Sequence, residues 1–421
     1  MAISFSLAFL VLLKLLSPQR YVKTDCKISL RDDLPVKEPL YLKRLNGSLE
    51  FVLPLEDKTI PQKDRGVLEL AKNEELILGC PGKNNELMSP PYDVVESHCV
   101  DGKRLDVEVD GVGNKTLRVE QLECASSVRA VFRPNFSQTC GKNGTEMEIG
   151  FEVETEYLPL INVCHDVDTA DTIYVEHDIV STIRGAKMLQ NRPSFQEGPY
   201  PLYNGVNTRK VYTQEYQRQL FDDLLGKGEG KHVIRGLYYL AKGHLAPHAD
   251  FLYGTWKWAT YFYVNAAPQW QIINGGNWKG LEDYLKRLAA ETGEDLHIIT
   301  GSWGVLKLRS RKTGTYVDIY LQHEESQRKI RVPAGFFKII QSKVSQKAIV
   351  AICFDNPFNK VPLSLLCKDI AKENHWPTAE TRWKSYKKGY IYFCDVDQFV
   401  VRVKEYLPKV KYMGILQGLE K

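Results

Sequence analysis

Residues 240–282 read LAKGHLAPHADFLYGTWKWATYFYVNAAPQWQIINGGNWKGLE. His244 stands beside a turn glycine, and Asn265, Asn274 and Glu282 follow it. A helix is expected from about Gly276 to Thr292, because Trp278, Leu281, Leu285 and Leu288 share one face and Gly293 is a natural stop. Asn274 then lies just before that helix and Glu282 about two turns along it. A histidine on a strand or loop next to such a helix can build a compact metal-and-base site. A hard cation such as Mg²⁺ prefers oxygen ligands and keeps several waters, so one amide oxygen suffices from the protein. A neutral imidazole nearby can take a proton from a water that attacks phosphorus.

Outward from this stretch the back half mixes helices and strands. Thr213 is an expected N-cap for a helix whose apolar face is Tyr216, Leu220 and Leu224. A buried strand is expected over His232–Ala241, followed by a loop over Lys242–Asp250. Later strands are expected at 295–300, 304–308, 315–321, 337–341 and 347–354. From Tyr21 to Cys164 the chain carries short β-branched or alternating runs, such as Leu49–Leu53, Leu105–Val109 and Glu146–Val153, separated by glycine turns. The expected organisation is a β-rich accessory domain over 21–165 and an α+β domain over 170–421. The acidic stretch Cys164–Asp178 matches no EF-hand spacing and reads as a solvated linker.

Three other motifs fail on inspection. His244 and His248 have the spacing of a zinc-protease helix, but Leu245 replaces the glutamate and Pro247 forbids a helix interior. The run Gly226–Lys231 is one residue short of a phosphate loop and is followed by His232. Gly301–Gly304 has Thr300 where a nucleophile elbow needs glycine.

Charge is uneven: residues 21–180 carry −12 and residues 181–421 carry +14. A basic half of that size suits a polyanionic partner, with Arg328–Arg331 and Arg382–Lys388 as candidate clusters. The apolar run Ala2–Leu16 is too short to span a bilayer comfortably and fits a removed secretory signal over residues 1–20, leaving no membrane contact afterwards. Nine cysteines and four N-x-[ST] sequons, at Asn46, Asn114, Asn135 and Asn143, agree with export. Six cysteines lie in the front block, where fifteen pairings are possible. Of the three at the back, Cys353 sits in the apolar run Ala348–Phe354 and is the expected free thiol.

The blocks Lys242-Gly-His-Leu-Ala-Pro247, Asn265-Ala-Ala-Pro-Gln269 and Asn274-Gly-Gly-Asn-Trp278 together resemble the secreted DNA/RNA non-specific endonucleases. These are ββα-metal (His-Me finger) enzymes, and the arthropod gut and salivary branch is the nearer match. The resemblance covers roughly 170–421 and implies a ββα-metal domain with a central antiparallel sheet, preceded by the small disulfide-bonded β-rich domain. It implies His244 as general base, Asn274 as the direct ligand of one Mg²⁺ (Mn²⁺ able to substitute), Glu282 holding water of the metal's shell, and Asn265 orienting the site. Arg192 matches the family's phosphate-binding arginine. The family's loop usually carries arginine where this chain has Lys242, a point charge in place of a two-pronged grip. That departure puts turnover in doubt more than binding.

These observations lead to a secreted endonuclease acting on DNA and RNA, single- or double-stranded. Two rival readings stay open: a nucleic-acid-binding protein on the same fold with weak or lost catalysis, and a host-interaction glycoprotein acting through its front domain.

Overall fold

The computed structural model describes residues 24–55, 66–109, 113–188, 191–324, 327–359, 365–377, 381–403, 407–408 and 410–419. The segment read as a secretory signal lies outside the described residues. Within them, no helix is long and apolar enough to cross a membrane.

The front segment folds as an antiparallel six-stranded sheet, in the order Ser48–Phe51, Leu40–Leu45, Glu75–Gly79, Val94–Asp101, Arg104–Val109 and Gly113–Arg118. A two-stranded ladder, Thr24–Ser29 with Val67–Ala71, lies beside it. Disulfides Cys26–Cys99 and Cys80–Cys124 cross-link this segment, so the oxidised state read from the sequence is present.

Eight antiparallel strands make the large sheet. From one edge these are Ile391–Cys394, Ala348–Phe354, Gly335–Ser342, Leu296–Trp303, Asp171–Ile179, Glu156–Asp166, Gly144–Val153 and Val131–Cys140. The expected boundary at 165–170 falls inside this sheet. Strands on both sides of it pair in one sheet, and a single hydrophobic core runs from Ile28 and Leu30 through Ile149 and Phe151 to Leu285 and Ile340. The acidic stretch is likewise no linker. Cys164–Asp166 and Asp171–Ile179 are strands, and Asp166 closes the turn between them by accepting the N–H groups of Asp168 and Thr169 (2.9 and 3.2 Å). Its carboxylate serves the backbone, which composition alone does not show.

Most back-half elements match expectation. Thr213 caps the helix Gln214–Leu225 by accepting from the N–H of Tyr216. The strands at Leu296–Trp303, Gly335–Ser342 and Ala348–Phe354 are present, and Cys353 is a buried free thiol while Cys367 and Cys394 pair. The strand expected over His232–Ala241 is shorter. Glu229–Val233 is a helical turn anchored by Asp222, whose Oδ1 accepts the N–H of Gly230 (2.7 Å). Arg235 and Tyr238 then close a tight turn by exchanging backbone hydrogen bonds, so the strand begins at Leu240. The cluster Arg328–Arg331 is no basic surface either. Lys329 and Arg331 are buried, donating to the carbonyls of Asn204 and Ser302, and Arg331 faces Asp171 at 3.5 Å.

A chain beginning at residue 170 would strip the large sheet of three strands and expose the apolar face under Ile149, Phe151, Ile161 and Val163. Such a fragment is expected to show no cooperative thermal transition, whereas the full chain melts cooperatively. A sharp calorimetric peak from the fragment would restore the two-domain reading.

Candidate active site

The strand Leu240–His244 pairs antiparallel with Ala266–Trp270, which sets His244 opposite Ala266. Asn265 lies at the root of the second strand and is fully buried. Its side-chain oxygen accepts the N–H of Ala246 (2.8 Å), while its amide nitrogen donates to the carbonyls of Ala246 and Thr260 (2.9 Å each). Its own carbonyl accepts the N–H of Leu245 (3.0 Å). The chain just past His244 is thus stapled in place, a demand that only a side chain with both donors and an acceptor can meet.

The His244 ring packs against Phe195 (4.8 Å between centroids), edge-on to Tyr261 (4.9 Å) and near His248 (6.0 Å). Its Nε2 is buried with no hydrogen-bond partner among the described residues. Burial, with the nearby charges of His248 and Arg192, pulls its pKa down to about 3. The imidazole is therefore neutral at physiological pH. His248, stacked on Tyr261, is held at about 4, first by burial and next by Arg192. Arg192, read from the sequence as a phosphate contact, is thus brought beside the histidine pair. Lys242 lies among three rings, 5.4 Å from Phe195, 5.6 Å from Tyr263 and 5.9 Å from Tyr212, and burial lowers its pKa. Phe195 touches both Lys242 and His244.

After Trp270 the chain makes a short turn and a widened one, Asn274–Trp278, before the helix Lys279–Thr292. The helix thus starts three residues later than expected. Gly276 is the cause: a Cβ there would sit 2.7 Å from the carbonyl of Lys388, and its backbone leaves helical geometry. Asn277 donates to the carbonyl of Gly389 (2.7 Å), which fixes the turn. The Asn274 amide nitrogen donates to Gln271 (3.4 Å), and no hydrogen bond to its side-chain oxygen is seen among the described residues.

Lys338 is the residue that sequence reading missed. It is fully buried in the central strand, in the run Phe336-Phe337-Lys338-Ile339-Ile340, where a lone lysine is itself a signal. Its ammonium donates to Thr300 (2.8 Å) and to the carbonyl of Leu245 (3.3 Å), and lies 5.0 Å over the Trp278 ring. It also faces Glu282 electrostatically. Burial lifts the Glu282 carboxyl to about 7, against the pull of Lys338 and with a push from Asp250. Asp250 pairs with His177 at 3.0 Å, and its other oxygen has no partner among the described residues. One buried cation therefore joins the histidine loop to the helix carrying Glu282.

Among the described residues no three His, Cys, Asp or Glu side chains cluster as a metal cage. The oxygen donors are the Asn274 amide oxygen and the Glu282 carboxylate, a set whose chemistry suits an oxygen-preferring ion retaining its waters, while the His244 nitrogen stays unpartnered among the described residues. A cleft of about 990 Å³ opens beside His248, lined by Arg192, Lys257 and Lys286 among others.

Residues 142–399 match the family model of the DNA/RNA non-specific endonucleases. The chain belongs to that family. The match begins within the large sheet, upstream of the expected boundary. Relatives include a salivary endonuclease of Lutzomyia longipalpis, 28% identical over 93% of this chain and 87% of its own. Salivary protein Tsal2A of Glossina morsitans morsitans is 25% identical over 93% and 95%. A salivary endonuclease of Culex quinquefasciatus is 27% identical over 54% and 56%. The endonuclease is thus a phosphodiester hydrolase on an α+β, ββα-metal fold with an antiparallel central sheet.

Two outcomes follow for this endonuclease. Asn265→Ala leaves an N–H and two carbonyls unpaired in the interior, at roughly 1–3 kcal/mol each, so about 3–5 kcal/mol of stability should be lost in urea unfolding. A loss within error of zero would show that the staple is redundant. For pH, His165, His244 and His248 are held at about 4, 3 and 4 by burial. Unfolded, each takes up a proton near 6.5 while the folded form does not, so stability is complete above that value and falls as pH drops toward 4. His297, raised to about 9 by Asp178 and Glu176, acts in the opposite sense, and its contribution is lost as pH rises toward 9. Denaturant midpoints should therefore peak near pH 6.5, and a flat profile between 4.5 and 9 contradicts this.

Proposed function

We propose that this endonuclease is secreted, requires Mg²⁺, and cleaves DNA and RNA, single- or double-stranded, with little sequence preference. The observation carrying the reading is His244: a neutral imidazole with a buried, unclaimed nitrogen, on a loop stapled by Asn265 and bordered by a basic cleft. His244 would take the proton of the water that attacks phosphorus, while the bond to the leaving oxygen breaks. Asn274 would hold the cation through its amide oxygen, with Glu282 holding water nearby. When bound, the ion would offset the negative charge that builds on the phosphoryl and leaving oxygens. Arg192 would grip a phosphate. Contacts to phosphates position a nucleic acid without reading its bases, which accounts for low specificity.

Export is supported by four disulfides and by the four sequon asparagines, all of them exposed. The salivary relatives agree. A second reading, a binding protein with weak turnover, draws on Lys242. Its charge is held by three aromatic faces, so it adds field near His244 without the planar grip of arginine.

Plasmid nicking separates the two. Cleavage should require Mg²⁺ (or Mn²⁺) and stop in EDTA. His244→Ala should lower the single-turnover rate by ~10²–10⁴-fold while leaving affinity nearly intact. Parental cutting by the variant would remove His244 from the chemistry, and a parent rate at background would favour the binding protein.

A further inference from the structure

The front segment lies largely outside the region the family model covers, yet it adds Arg31 to the lining of the cleft. Arg31 lies on the turn after the first strand. Asp33 fixes that turn by accepting the N–H of Ser29 (2.7 Å) and by pairing with Lys103. Leu30 is buried in the shared core, and its N–H donates to the carbonyl of Gly66 (2.9 Å). Gly66 in turn lies backbone to backbone against Gly185: a Cβ on Gly66 would fall 2.4 Å from the Gly185 Cα, and its φ is +101°. Two chain segments more than a hundred residues apart therefore meet with no side chain between them. The contact presents Arg31 directly over Arg184, whose carbonyl accepts from the Arg31 guanidinium (2.7 Å).

The cleft's cations outnumber its carboxylates. Glu291 faces both Arg184 (3.3 Å) and Arg287 (3.9 Å), and Asp283 pairs with Lys286 (3.1 Å). Arg31 has no carboxylate partner among the described residues. Crowding is felt at the inner end, where burial and Lys286 lower Lys257 to about 8. The helix Lys279–Thr292 gives the cleft a stripe of side chains, Asp283, Arg287 and Glu291, and His248 and Arg31 both lie on the same lining.

We infer that Arg31 binds a backbone phosphate of the nucleic acid away from the reacting one, making the front segment part of the substrate track. This rests on the cleft being the nucleic-acid site of the proposed endonuclease. It gives the front segment a role in substrate binding rather than in chemistry.

The test uses the full chain in EDTA, binding a labelled 16-nucleotide single-stranded DNA over a range of salt. Arg31→Gln keeps a donor for the Arg184 carbonyl but loses the charge, and Arg31→Lys keeps both. The slope of log affinity against log salt should shrink by about 0.7 for the glutamine variant, alike for different sequences, and stay parental for the lysine variant. An unchanged slope in the glutamine variant, or equal losses in both variants, overturns the proposal. A second measurement needs no variant: Arg31 in the parent should be shielded from phenylglyoxal by the bound 16-mer, and undiminished labelling overturns the proposal. The two readings fail separately. A parent that cleaves while Arg31→Gln keeps its slope removes only the Arg31 role, and a parent that binds with this slope change yet never cleaves removes only the catalytic reading.

Discussion

The geometry of the site depends on one side-chain amide. Asn265 gives the chain beyond His244 the hydrogen bonds that a neighbouring strand would otherwise supply, and it does so fully out of water. In that setting each bond is worth most when the alternative is an unpaired backbone group. The staple matters because His244 itself is held by little else that is polar. Its neighbours are rings, and its buried nitrogen has no hydrogen-bond partner among the described residues. In the role proposed for His244 that nitrogen has to stay free, so the anchoring falls to the backbone next door.

Lys338 extends the same logic into the sheet. A buried ammonium is costly unless it is surrounded by acceptors and an opposite charge. Here it has Thr300, the Leu245 carbonyl, the face of Trp278 and the charge of Glu282. These groups come from the large sheet, the histidine loop and the long helix. The cation is satisfied only when all three are in place, which couples the position of Glu282 to that of His244.

Much of this was legible in the sequence. The spacing of His244, Asn265, Asn274 and Glu282, the amphipathic helix ending at Gly293 and the Thr213 cap are local features, set by residues close together in the chain. What escaped was non-local. Nothing around residue 165 shows that the strands before it pair onward into the large sheet, because an edge strand of one domain and an inner strand of another carry the same alternation. The acidic run 164–178 looked solvated because composition does not tell a turn-closing carboxylate from a free one. The charges at Lys329 and Arg331 looked like surface for the same reason. Lys338 was visible as a lysine among isoleucines and phenylalanines, but its partners lie 38 residues away at Thr300 and 93 away at Leu245.

The order of the large sheet bears on when, during synthesis, the candidate site can form. The strand Asp171–Ile179 waits for Leu296–Trp303, and the histidine hairpin lies inside the loop that this pairing closes. Lys338, which ties that hairpin to Glu282, arrives later still on the strand Gly335–Ser342. Pairings of such long sequence separation form late and slowly. A ribosome-bound chain that ends before the Gly335–Ser342 strand therefore lacks Lys338, and nothing yet ties the histidine hairpin to the helix of Glu282. The candidate site is completed only after most of the chain has been made.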